Sequence, residues 1–160
     1  MSSVSATRVL VPVDREDVMI SYLPYPHSFE QCMFGLACIS GAKIGFYQGD
    51  PLKLVDDCAV LKPTCFPSVP RLYNRIYGKI KDKFDQATGC KAWLVNKAMA
   101  SKTAALEANA TYTSGCWDKL VFSKVAALLG GRVKLMVTGS APIDGAVLKF
   151  LKVCFCCPVL

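Results

Sequence analysis

Hydrophobic residues along this 160-residue chain fall into short runs that alternate with longer, helically spaced stretches. Val18–Leu23 (VMISYL) is a continuous apolar run, predicted as a buried strand and stopped by Pro24 and Pro26. Phe29–Ser40 has helical spacing and ends near Gly41, and Lys43–Phe46 follows as a short strand. Asp50-Pro51 predicts a helix start, with an acidic N-cap, proline at the first position, and Leu52, Val55, Cys58 and Ala59 on one face. Thr64–Phe66 reads as a strand. Pro70 opens a helix that turns Leu72, Ile76, Ile80 and Phe84 inward. An alanine-rich helix is expected over Lys91–Ala108, and another from Trp117 to Gly130-Gly131. Arg132–Val137 is a strand, Thr138–Ile143 a turn, Asp144 a helix cap and Pro158 a stop. Strands alternating with helices predict parallel βαβ units, so the fold class is α/β. In such sheets ligands bind beyond the carboxyl ends of the strands. That selects three loops: Pro24–Phe29, Pro67–Arg71 and Gly139–Ile143.

Composition adds a surplus of apolar surface. Hydrophobic residues make up 52% of the chain and the mean hydropathy is +0.33, more than a free-standing domain of this size needs. A partner surface or a ligand tunnel would use the excess. Lysines such as Lys149 and Lys152 interrupt the longest apolar runs, so a membrane-spanning helix is not expected. A signal peptide is not expected either, because MSSVSATRVLVPV lacks a basic start followed by an apolar block. The net charge of +7 favours anionic partners. No nucleic-acid module or interleaved aromatic–basic pattern accompanies it, which argues against nucleic acid. The nine cysteines are scattered, the C-x-x-C spacing of Cys154 and Cys157 has no second ligand pair to match it, and His27 is the only histidine. The Cys154, Cys156 and Cys157 cluster therefore reads as buried reduced thiols in a reducing compartment, with no metal site.

TYTSGCWDKLVF, from Thr111 to Phe122, begins like a phosphate loop. A phosphate cradle needs several glycines and a following lysine. Here Cys116, Trp117 and Asp118 follow Gly115 instead. The stretch is predicted to start a helix, with Thr113 or Ser114 as N-cap and Asp118 in the first turn.

Five blocks, SYLPYPHSFE, IGFYQGDPLKL, LKPTCFPSVPRLYNRIY, WDKLVFSKV and LGGRVKLMVTGSAPI, occur in one order over residues 16–160. In order and spacing they resemble the long-chain acyl-CoA synthetases (long-chain fatty acid–CoA ligases) of the adenylate-forming, AMP-binding superfamily. The resemblance implies that the chain is a central part of an N-terminal adenylation domain. Residues 1–15 would be a disordered or divergent lead-in, and the family's small C-terminal domain is absent. The family's phosphate loop and acidic G-Y-G-x-T-E motif are not found in these residues. The implied chemistry joins a long-chain fatty acid to AMP, using ATP and Mg²⁺, and then passes the acyl group to the thiol of CoA. This chain is expected not to catalyse it alone. A truncated lipid-, membrane- or partner-binding module is the alternative.

The resemblance also distributes roles. Gly139, Ser140, Ala141 and Pro142 would lie against the adenine, where small side chains let backbone approach a flat base; the residues alone read as a strand-to-helix turn. His27 would donate to an acyl or phosphate oxygen or gate the junction of carboxylate, adenylate and thiol. Tyr73 would gate the acyl tunnel, although its helical spacing from Tyr77 equally fits core packing. Arg71, Arg75, Lys79 and Lys83 form an i, i+4 stripe suited to an anionic membrane surface or to plain solvation. The family setting would be the cytoplasmic face of the endoplasmic reticulum, mitochondrial outer membrane or peroxisome. Two departures stand out. Pro26 replaces the usual alanine, and Cys156 replaces a glycine, which matters if that backbone needs positive φ.

Overall fold

The structure, a computed structural model, describes residues 3–139 and 141–160. Its elements are α1 (Ser3–Leu10), β1 (Val18–Ser21), α2 (Ser28–Ser40), β2 (Lys43–Phe46), α3 (Leu54–Leu61), β3 (Cys65–Ser68), α4 (Pro70–Asp85) and α5 (Cys90–Asn109). A segmented helical stretch covers 115–129: α6 (Gly115–Trp117), a π turn (Asp118–Phe122), α7 (Ser123–Ala126) and a 3₁₀ turn (Ala127–Leu129). Then come β4 (Leu135–Thr138) and α8 (Gly145–Phe155). The four strands form one parallel sheet in the order β2-β1-β3-β4.

Alternation along each strand divides the core into two layers. Met19, Cys65, Leu135 and Val137 join Met33, Leu36 and Ala37 of α2 on one face. Ile20, Phe66 and Met136 face the larger cluster built by α3, α4, α5, 115–129 and α8. Helices thus cover both faces, as a parallel sheet requires. Residues 158–160 run beside β4: Met136 N donates to Pro158 O, and Leu160 N donates to Met136 O.

Sequence chemistry explains most boundaries. Gly41 ends α2 in the left-handed region (φ +70°), its N–H turned to Ala37 and Cys38 carbonyls. Pro70 occupies the first turn of α4, where a missing N–H costs nothing. Asp144 caps α8 by accepting from Ala146 N at 2.7 Å. The alanine-rich helix runs one residue further at each end than expected.

Four expectations need correction. β1 stops at Ser21 rather than Leu23, because the chain turns toward Pro24. Asp50-Pro51 makes a turn, with Leu52 N on the Asp50 carboxylate, and α3 begins only at Leu54. β3 runs through Pro67, a residue without a ladder donor, and its pairing with β1 is confined to Met19 and Cys65. Ser114 sits at the N-cap of the 115–129 stretch, but its hydroxyl makes no capping bond. The Asp118 carboxylate, four residues on, reaches back to accept Ser114 N at 2.7 Å. The stretch then takes a π turn instead of running on as one α-helix. Within the lead-in, Ser3–Leu10 forms α1 against α2, leaving Val9 and Leu10 exposed. Among the described residues no helix is long and apolar enough to cross a membrane.

Candidate functional site

The carboxyl ends of β1, β3 and β4 bring the three selected loops to one edge of the sheet. After β1, the chain turns at Pro24, whose carbonyl accepts His27 N at 2.9 Å, and His27 becomes the N-cap of α2. Its Nδ1 accepts Phe29 N at 3.3 Å. An accepting Nδ1 carries no proton, so the neutral ring holds its hydrogen on Nε2. His27 is half-buried. Pro26 is exposed within the turn.

One helical turn on, Glu30 is buried and accepts from Ser21 Oγ at the end of β1. Burial pushes its carboxyl above the usual carboxylate range, opposed by the hydrogen bonds from Ser21 and from the Leu23 N–H. Beside it, Tyr22 and Ser68 share a hydrogen bond of 2.7 Å that joins the ends of β1 and β3. Burial raises the Tyr22 hydroxyl to about 12, against the Ser68 contact. Its ring stacks on Phe66 and meets Tyr47 edge-on.

The β1 and β4 loops touch directly. A β-carbon on Gly139 would stand 2.4 Å from Cδ2 of Phe29, so glycine is what lets the phenyl ring lie against the backbone there. The ring that uses this space is therefore Phe29. Ala141 and Pro142 are exposed on the next turn, and Ser140 lies outside the described residues. At the end of β4 the Thr138 hydroxyl is buried without a hydrogen-bond partner among the described residues.

Tyr73, expected at an acyl gate, is fully buried. Its hydroxyl lies 2.8 Å from Phe66 O and 3.2 Å from Val137 O, so it bridges the ends of β3 and β4 from below the loops. It is not in the solvent-facing cluster formed by His27, Phe29 and Gly139. Arg71, Arg75, Lys79 and Lys83 are all exposed along α4. An open apolar cleft of about 550 Å³ adjoins the His27 loop, lined by Ser21, Leu23, Tyr25, Phe34, Phe46 and Tyr47.

Sequence reasoning did not mark Phe29, Tyr22, Ser68 or Thr138. Their positions at strand ends and loop borders were the available signal; their mutual contacts are tertiary. Among the described residues no three His, Cys, Asp or Glu side chains gather as a metal site. The buried thiols of Cys58, Cys65 and Cys157 are pushed up to about 12 by burial, so they stay protonated at neutral pH.

Comparison with known proteins gives this geometry a family. The profile of the AMP-binding enzyme family matches residues 1–160. Long chain acyl-CoA synthetase 6, peroxisomal, of Arabidopsis thaliana is 45% identical over 97% of this chain and 22% of its own length. Long-chain-fatty-acid–CoA ligase 1 of Homo sapiens is 46% identical over 96% of this chain, again 22% of its length. The chain thus spans about a fifth of these relatives. The adenylation domain of a carboxylate reductase from Mycobacterium chelonae superposes with a TM-score of 0.65 at 16% identity, covering 89% of this chain and 19% of that one. The equivalent domain from Segniliparus rugosus, bound to AMP and a carboxylic acid, gives 0.61 at 22% identity over 89% of this chain and 20% of that chain. Both share the parallel α/β fold. The chain belongs to the AMP-binding enzyme family.

Proposed function

We propose that this chain forms the middle of the adenylating domain of a long-chain fatty acid–CoA ligase, and that its strand-end loops orient the carboxylate being activated. The observation that carries the reading is the Phe29–Gly139 contact. It fastens the His27 loop to the β4–α8 turn, in a chain closely similar to ligases of that activity.

In the whole reaction ATP with Mg²⁺ activates the acid and CoA supplies the accepting thiol. The residues here fit only part of that set. Ala141 and Pro142 offer small, exposed surface for a flat base, while the face of Gly139 is already taken by Phe29. No carboxylate cluster among the described residues suits Mg²⁺, so no step is assigned to the metal here. What the chain itself contributes is the Nε2–H of His27, a fixed donor for an acyl or phosphoryl oxygen as negative charge develops there. The cleft between Leu23, Phe34 and Phe46 takes the start of the acyl chain. Tyr73 serves as a gate only by releasing two backbone carbonyls.

The test is fatty acid-dependent ATP–pyrophosphate exchange by the longest native polypeptide captured with an antibody to residues 70–90. Exchange is expected, reduced roughly 10²-fold or more in the His27→Ala form, and absent for residues 1–160 alone. A native polypeptide with no exchange, or full activity without His27, overturns the assignment.

A further inference from the structure

Lys102 is the least expected side chain in the larger core. It lies midway along α5 and is 2% exposed, although lysine is almost never fully buried unless paired. Its ammonium meets three groups. The Asp118 carboxylate accepts from it, and the Phe122 ring lies 4.7 Å below it. The third contact is Sγ of Cys156 at 2.9 Å. Asp118 and the ring already satisfy the charge. The sulfur is additional, and it is close: 2.9 Å is the length of an N–H···O bond, and sulfur is the larger atom.

The backbone delivers that sulfur. Cys156 ends α8 in the left-handed region, with φ +56°. Residues with a β-carbon are disfavoured there by roughly 1–2 kcal/mol, and glycine is the usual occupant of such caps. A cysteine held in a glycine's conformation thus points its thiol at a buried lysine. Cys156 is half-exposed, whereas Lys102 is enclosed, so a small oxidant reaches the sulfur first. Burial pushes up all three thiols of this cluster, that of Cys156 against its hydrogen bond with Lys102, but Cys154 and Cys157 are shut away from solvent, which leaves them poor competitors.

We propose that peroxide joins Lys102 and Cys156 through one oxygen atom, forming a reversible N–O–S staple between α5 and the end of α8. The gap is too long for a direct S–N bond and suits a single bridging atom. In the first step sulfur attacks a peroxide oxygen, the O–O bond breaks, and Cys156 becomes a sulfenic acid with release of one water. In the second, Lys102 gives up its ammonium proton by way of Asp118. A second peroxide then accepts the hydrogens of the sulfenic O–H and of one amine N–H as the O–N bond forms, leaving as two waters. Altogether one ammonium, one thiol and two peroxides give the bridge, three waters and one proton, a four-electron oxidation. Excess dithiol reverses it, returning amine and thiol. The staple fastens α5 to the helix that follows the Gly139 turn. The inference rests on these contacts alone and holds whatever the chain's substrate.

The experiment treats the reduced chain with graded hydrogen peroxide and maps tryptic peptides without reductant. The expected product pairs the peptides of Lys102 and Cys156, heavier than their sum by one oxygen less two hydrogens. Trypsin no longer cleaves at Lys102, and dithiothreitol restores both peptides. The thermal midpoint rises by a few degrees on oxidation and falls back on reduction. In Cys156→Gly, which suits the left-handed cap, neither change occurs. The idea fails if Cys156 is instead recovered as sulfinic acid, in a disulfide or bonded to nitrogen without oxygen. It fails equally if Lys102 remains cleavable in peptides whose Cys156 is oxidised.

Discussion

Gly139 and Phe29 illustrate how one residue's missing side chain sets a site. The β-carbon of an alanine at 139 would meet Cδ2 and Cε2 of Phe29 at 2.4 and 2.5 Å, closer than any tolerated contact. The ring must move, and it is attached to the residue whose N–H orients the His27 imidazole. Gly139→Ala is therefore expected to cost about 1–3 kcal/mol by overpacking and to disturb the His27 donor with it. Shrinking the ring in Phe29→Ala should recover most of the stability lost to the alanine when the two changes are combined. Urea unfolding of the four proteins measures that coupling as a double-mutant cycle. Strict additivity would show that the two loops do not touch.

The elements were legible to different depths. Gly41, Pro70 and Asp144 mark ends that depend only on local backbone chemistry, and α2, α4 and α8 end or begin there. Local signals misled where a tertiary contact outbid them. Asp50-Pro51 has the letters of a helix start, yet Asp50 closes a turn on Leu52. Asp118 was legible as a first-turn acid, but its salt bridge to Lys102, sixteen residues back along a different helix, was not. The site divides similarly: strand-end geometry selected loops that do meet at one end of the sheet, while Phe29 on Gly139 and Tyr22 on Ser68 required the fold. Tyr73 on α4 is the sharpest case, since helical spacing marks the position without revealing its two carbonyl partners. Tyr73→Phe removes the hydroxyl and keeps the ring. It is expected to destabilise the chain by about 1–2 kcal/mol, with faster amide exchange near the ends of β3 and β4. An unchanged urea midpoint would mean that the hydroxyl does not tie those strand ends together.

Across the whole molecule the sheet carries opposite pH devices at its two ends. At the amino ends of the strands, buried Asp17 accepts from Thr64 Oγ1, from Asp14 N and from Lys134, bridging the approaches to β1, β3 and β4. Burial alone would raise its carboxyl, but those hydrogen bonds and the lysine charge hold it below the ordinary value of 3.8. At the carboxyl ends, Glu30 is displaced upward from 4.5 by burial. A depressed carboxylate stabilises above its unfolded value and loses that contribution as pH falls through its folded one. A raised one behaves inversely: its folded state holds the proton more tightly, so its contribution is greatest in acid and declines as pH rises from 4.5 through the folded value. Asp17→Asn should therefore be most damaging at neutral pH, with the deficit shrinking as the solution is acidified below 3.8. Glu30→Gln should lose least at neutral pH and fall further behind the natural chain in acid. Thermal midpoints of the three proteins between neutral and acid pH decide this. Parallel curves for natural chain and either variant would show that the corresponding carboxyl has no folding-linked shift. The asymmetry separates two tasks: the ionised Asp17 latch holds the strands together, while a carboxyl with a raised protonation range stands one helical turn from the His27 donor.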